Sequence, residues 1–375
     1  MRTMRTAALA AITISTLALA ACSSGDPVTD PSDPAPTNQP AGASATPSGG
    51  TTAASGDLGT AVTVVTHDSF VVPDDVLAAF EKETGLTVTF VAPGDGGTLV
   101  NQLILTKDQP LGDVVFGVDN SFASRAIDEG VFADYSSTAP AAADAADYAV
   151  ADSSALTAID FSDVCLNVDS TWFAANDVAV PASFDDLLKP EYKGLLSVTN
   201  PATSSPGLAF LLGTIAAKGD GWQDYWTALN DNDLRVTSSW SDTYYTDFSA
   251  PNYGGDYPIV LSYASSPPSE VAEDGTAPTA ALLDTCFRQV EYAGVLNGAK
   301  NPAGGQAVID WMLSDGFQAS IPDNMYVYPV STSVAIPDAW TKYAPLAEDP
   351  WSLSPAQISA NRDEWIKQWT AIVTP

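Results

Sequence analysis

Between residues 61 and 130 the chain alternates β-branched runs with stretches of helical periodicity, and this order limits its fold more than any other feature. Residues 61–66 form a β-branched run. Residues 73–84 set Val76, Leu77 and Phe80 at helical spacing and end on Gly85, a residue type that closes helices in the left-handed conformation. Residues 86–91 read as a second strand, 98–105 as a second helix, 113–118 as a third strand and 121–129 as a third helix stopped by Gly130. Strands joined through helices run parallel, so the order predicts an α/β fold with a doubly wound, mostly parallel sheet flanked by helices. Ligands of such sheets sit beyond the carboxyl ends of the strands. Those ends carry His67-Asp68-Ser69-Phe70, the turn from Pro93 to Thr98 with Asp95 and Gly96, and Asp119-Asn120. Acids and a glycine-rich turn therefore gather at one mouth.

A second unit starts near Asp160. Its expected strands are 161–168, 194–198, 234–237 and 289–296, and its expected helices 183–188, 206–218, 222–230 and 304–313. An aromatic turn at 324–328 follows, then a long helix from Ser354 and Pro355 with Ile358, Trp365, Ile366, Trp369 and Ile372 on one packing face. Within this unit, residues 258–271 run from an apolar strand through Tyr263-Ala264-Ser265 into Ser266-Pro267, which predicts a helix start with Ser266 as N-cap. Thr203-Ser204-Ser205-Pro206-Gly207 repeats the grammar ahead of an apolar run. Such hydroxyl-rich starts suit an oxygen-bearing or anionic ligand group, and each is equally an ordinary way to begin a helix. Trp240, Tyr244, Tyr245, Tyr263 and Tyr326 lie in polar surroundings and not on apolar stripes. Rings so placed either stack on a flat ligand and hold a cation, or pack half-buried.

Composition removes several function classes. With 46 acidic against 14 basic side chains, a net charge of −32, nucleic acid is not a partner, because phosphates would be repelled. His67 is the sole histidine and no Gly-x-Ser-x-Gly elbow exists, which leaves little for a hydrolase. Zinc lacks ligands, Rossmann and Walker fingerprints are absent, and no cofactor is expected.

The N-terminus reads as an export signal. Residues 1–5 are basic, 7–18 apolar but too short to span a bilayer, and Leu19-Ala20-Ala21-Cys22 resembles a bacterial lipobox, which implies cleavage after residue 21 and a lipid anchor on Cys22. Residues 22–59 are rich in Pro, Ser, Thr, Gly and Ala and are expected to form a disordered tether. In an exported protein the two remaining cysteines, Cys165 and Cys286, are expected to pair.

From residue 60 on, the chain resembles the thiamine-binding proteins of bacterial ABC importers. The resemblance rests on Thr66-His67-Asp68-Ser69-Phe70, Asp95-Gly96, the segment from Asp113 to Asn120, Thr203 to Leu208, Trp240-Ser241-Asp242, Leu261-Ser262-Tyr263 through Pro267, Ile321-Pro322 through Val330, and Ser354-Pro355-Ala356. It implies a two-lobed, type II periplasmic-binding-protein fold, with lobe one at 60–160 plus 287–335, lobe two at 161–286, and 336–375 packed across both. It also implies no catalysis, capture of thiamine or its phosphates between the lobes, delivery to an ABC permease, and a monomer held outside the cell membrane by Cys22. Ligand contacts carried over are Asp95, Gly96, Ser204, Ser205, Trp240, Tyr263, Ala264, Ser265, Ser266 and Pro267. To these we add His67, where the family usually has Tyr, Asp68, Tyr244, and Tyr326, where it has Trp. Aromatic faces and acids suit a cationic thiazolium and a flat aminopyrimidine. The rival within the fold is a ferric-ion or polyamine receptor, suggested by Tyr244-Tyr245. A secreted hydrolase built on His67 and a structural surface lipoprotein are the more distant alternatives.

Overall fold

The computed structural model describes residues 58–151 and 153–373. The expected signal segment 1–21, Cys22 and nearly all of the tether lie outside these residues.

The first part follows the alternation closely. Strands β1 (Ala61–Val65), β2 (Thr87–Val91) and β3 (Val114–Asp119) are linked by helices α1 (Asp74–Thr84) and α2 (Gly96–Leu105), and α3 (Ala123–Asp128) follows. β1 pairs parallel with β2 and with β3, as two strand–helix–strand crossovers require. Gly85 closes α1 at φ 74°, donating to the Glu81 carbonyl at 2.8 Å. The Gly96-Gly97 pair, expected in a turn, instead starts α2. The short strand β4 (Phe132–Ala133) and helix α4 (Ala142–Ala145) lead into the centre of the sheet.

The centre is two long strands. β5 (Thr157–Asp169) is followed by α5 (Ser170–Asn176), β6 (Leu196–Thr199), α6 (Ser205–Lys218), α7 (Trp222–Asp231), β7 (Arg235–Thr237) and β8 (Ile259–Tyr263). β9 (Thr279–Leu296) then spans eighteen residues, of which the hydrophobic pattern revealed only the last eight. α8 (Pro302–Met312), α9 (Asp315–Met325), β10 (Tyr328–Pro329), α10 (Asp338–Tyr343) and α11 (Pro355–Val373) complete the chain. The sheet order is β2-β1-β3-β9-β5-β8-β6-β7. Its two ends are parallel, but β9 runs antiparallel to both β3 and β5, so the sheet is mixed.

Four local expectations are corrected. Residues 183–188 form no α-helix, only a 3-10 turn at Asp186–Leu188. The segment after β8 is a single 3-10 turn, Pro267–Glu270, and Ser266 makes no side-chain cap, because its hydroxyl bonds Ser262 at 2.8 Å. Residues 324–328 are no free-standing turn: α9 reaches Met325 with Pro322 inside it. Asp242–Asp247, the polar stretch around Tyr244 and Tyr245 where no helix was expected, is a π-helical turn.

Trp369 of α11 is fully buried edge-on against Trp226 of α7, with centroids 5.5 Å apart, as the helical stripe predicted. Cys165 and Cys286 are bonded across β5 and β9, both completely buried, at a break in register between Val164 and Leu166.

Candidate functional site

A small cavity, partly open to solvent, is lined by residues that follow the carboxyl ends of β1, β2 and β6. Three sets of side chains build it.

The first set belongs to Asp95, which N-caps α2. One carboxylate oxygen accepts from the Gly96 amide at 2.5 Å and from the Ser205 amide at 3.3 Å; the other accepts from the Trp240 amide at 2.9 Å. One side chain thus ties the start of α2 to the start of α6 and to the aromatic segment. The glycines permit the approach: a Cβ on Gly96 would stand 2.0 Å from the Ser205 hydroxyl oxygen, and one on Gly97 would meet the Thr203 backbone at 2.8 Å. Burial raises the Asp95 carboxyl to about 6, against the hydrogen bonds from the Trp240 amide, the Ser204 hydroxyl and the Gly96 amide.

The second set is aromatic. Trp240 is backed by Tyr244, stacked at 5.1 Å and 13°, and flanked edge-on by Tyr245 at 5.2 Å. Its indole N–H donates to the Ser262 hydroxyl at 3.0 Å. Tyr263 and Tyr326 complete the lining. Tyr326 ends α9 at φ 55°, a conformation costly for a tyrosine, and its carbonyl accepts from the buried Ser265 hydroxyl at 2.6 Å.

The third set is an acidic floor. Glu291 of β9 lines the cavity and is in register with Asp119 of β3 on one side and Asp160 of β5 on the other, so the three carboxyls share one face of the sheet. All three are at least nine-tenths buried. Burial pushes every one of them above the usual carboxylate range, and for Glu291 the charges of Asp160 and Asp119 push further. His67 lies over Gly117, where a Cβ would come within 2.3 Å of its ring. Its Nδ1 accepts from the Ser69 amide at 3.2 Å, so the proton sits on Nε2, 3.5 Å from Glu291. Burial lowers this imidazole to about 4, leaving it neutral at neutral pH.

Of the residues expected at the site, His67, Asp95, Gly96, Ser205, Trp240, Tyr263 and Tyr326 line the cavity. Others lie behind them. Ser204 N-caps α6, accepting from the Gly207 amide at 3.5 Å, and Tyr244 donates to Glu270 at 3.1 Å on the far side of Trp240. Ala264, Ser265, Ser266 and Pro267 are buried beneath Tyr263, and Asp68 is exposed beside the mouth. Sequence reasoning missed Glu291 as a lining residue and set Tyr245 aside. A lone acid inside the apolar run 289–296 was the available signal for the first. Among the described residues, neither lysine nor arginine lines the cavity.

The sequence pattern of the bacterial extracellular solute-binding proteins matches residues 109–351. The chain belongs to this family. It is a solute-binding protein and not an enzyme; proteins of the family act outside the cytoplasm and deliver small ligands to ABC permeases. Among its relatives is the thiamine-binding periplasmic protein of Escherichia coli, 29% identical over 84% of this chain and 93% of that one. A putative 2-aminoethylphosphonate-binding periplasmic protein of Salmonella paratyphi A is 24% identical over 77% and 85%. Among solved structures, a periplasmic thiamin binding protein superposes with a TM-score of 0.73 at 27% identity, covering 84% of this chain and 96% of that one. Iron-bound HitA from Pseudomonas aeruginosa superposes at 0.67 with 21% identity over 84% and 99%, a likeness of fold. The type II periplasmic-binding-protein architecture follows.

Proposed function

We propose that this solute-binding protein captures thiamine in the cavity and passes it to an ABC permease. The observation that carries the reading is the pairing of aromatic faces with a buried acidic floor in a cavity that, among the described residues, neither lysine nor arginine lines. A flat ring with a fixed positive charge satisfies both, because carboxylates and ring faces each attract it. Relatives named for thiamine support the choice. Thiamine itself is favoured over its phosphates, since a phosphate would enter beside uncompensated acids. The same argument counts against a phosphonate. A ferric ion is disfavoured because the Tyr244 hydroxyl is committed to Glu270.

The lobes are taken as 60–160 with 287–335 and as 161–286, with 336–375 packed across them. β5 and β9 then carry the hinge, and closure brings Asp95 onto Ser205 and Trp240. Cys22 anchors the protein as a lipid-modified N-terminus, and the protein works as a monomer.

Calorimetric titration of the lipid-free body with thiamine, thiamine mono- and diphosphate, spermidine and Fe³⁺ tests the reading. Saturable binding of thiamine, stronger than of its phosphates, is expected. Tighter binding of spermidine, or a coloured iron complex, would replace thiamine as the ligand.

A further inference from the structure

The floor of the cavity contains more acid than a neutral site needs, and its hydrogen bonding is incomplete. Among the described residues, neither oxygen of Asp160 has a donor, and the His67 Nε2 that lines the cavity is likewise unpartnered. Buried polar atoms are nearly always paired, so this concentration marks a place where something is to be supplied. Asp160 and Glu291 stand opposite each other in register and interact through their side chains. Two ionised carboxylates offer only acceptors. They can bond to one another only if one of them holds a proton, which is also what burial beside like charge favours.

Glu291 faces charged or titratable groups from every element around it. His67 comes from the end of β1, Asp95 from α2, Asp119 from β3, Asp160 from β5, and Tyr263 from β8. Tyr245 and Tyr326 lie across the cavity. Cations stay at a distance: Arg288 is paired with Asp163, and Arg362 of α11 acts on Asp119. His67 is neutral and its Nε2 stands 3.5 Å from a Glu291 oxygen without a hydrogen bond, so it supplies no counter-charge.

We propose that Glu291 is the counter-ion for the ligand's fixed positive charge, and that the carboxyl pair it forms with Asp160 releases its shared proton to solvent as the cation enters. One cation enters and one proton leaves, so the floor keeps the same net charge and is never left as a bare pair of buried anions. The inference rests on the thiamine reading and deepens it. Protons then compete with ligand, and affinity falls as the solution is acidified.

Calorimetry of the whole lipid-free protein with thiamine, in phosphate and in Tris at one neutral pH, counts the protons released from the difference in heat between the buffers. About one proton per thiamine is expected for the wild type. Glu291→Gln is expected to bind roughly 30-fold more weakly, the lower end of the cost of removing one member of a buried charge pair, and to release no proton. Asp160→Asn donates an amide hydrogen to Glu291 and so fixes it as the anion beforehand; this variant is expected to bind thiamine without proton release. Circular dichroism establishes that each variant is folded, and either variant alone decides the point. Wild-type binding with no buffer dependence, or proton release that persists in a folded variant, would overturn the inference while leaving thiamine as ligand. Failure of the wild type to bind thiamine at all would remove the ligand reading and this inference with it.

Discussion

The two walls that meet at the cavity are finished to different degrees. On the aromatic side the buried polar ends behind Trp240 are used. Trp240 donates to Ser262, while Tyr244, Tyr253 and Asn252 all donate to the buried Glu270, at 3.1, 2.6 and 2.7 Å. On the acidic side His67, Asp160 and Gln289 each keep a buried polar atom without a partner among the described residues. Aromatic packing stabilises the empty protein, whereas buried unpaired carboxyls destabilise it. A binding protein tolerates the second because the ligand offsets the cost only when it arrives. The aromatic side is therefore scaffold as well as site, and the acidic floor is held for function at the expense of stability.

The disulfide sets the largest expected effect. It joins the two strands that carry Asp160 and Glu291 and closes a loop with a sequence separation of 121. Reduction is expected to cost about 4–5 kcal/mol in urea unfolding, on the chain-entropy account, while thiamine affinity of the still-folded protein changes little. Weaker binding in the reduced, folded protein would show that the bond shapes the floor and not only its stability. Trp240→Ala comes next. A large, nearly buried ring stacked on Tyr244 is lost, at about 3–5 kcal/mol, and thiamine binding goes with it. Retained affinity in that variant would move the ligand off the aromatic wall.

The sharpest contrast lies between two glutamates. Glu270→Ala leaves the hydroxyls of Tyr244 and Tyr253 without their acceptor and should cost about 2–3 kcal/mol of stability, with affinity within a few-fold of wild type. Glu291→Gln should do the reverse, leaving stability equal or higher while affinity drops. Equal effects of both changes on stability would erase the distinction between the walls. The last effect is a pH slope. His67 is held neutral, its imidazole lowered from 6.5 to about 4, so the unfolded chain binds its proton first. Its contribution to stability is complete above pH 6.5 and is lost as pH falls toward 4. His67→Phe should show a shallower loss of melting temperature across that window, and an unchanged slope would place the acid sensitivity elsewhere.

Much of this architecture could be read from the chain, and the unread part has physical causes. The order from β1 to α3 was legible because each element is short, periodic and closed by a glycine or an acid cap. Gly96 and Gly97 looked like a loop, since glycine is a poor helix former, yet they open α2 because only a missing Cβ lets it approach Ser205 and Thr203. The first ten residues of β9 carry a short apolar run, Ala280 to Leu283, that Asp284 and Thr285 interrupt before Arg288, so the strand is extended by pairing with β5 more than by its own pattern. α9 was hidden by Pro322. Glu291 gave only a faint signal, because its meaning depends on Asp119 and Asp160, which adjoin it laterally across three strands and lie far from it in sequence. Trp240, Tyr263 and Tyr326 were recognisable because large rings in polar surroundings have few structural reasons to be there.

A crystal structure of the protein grown with thiamine is the decisive experiment. The vitamin is expected inside the cavity, its aminopyrimidine against the faces of Trp240 and Tyr245 and its positive ring over Glu291. Thiamine seated elsewhere, or with its positive ring turned away from the acidic floor, would contradict this expectation.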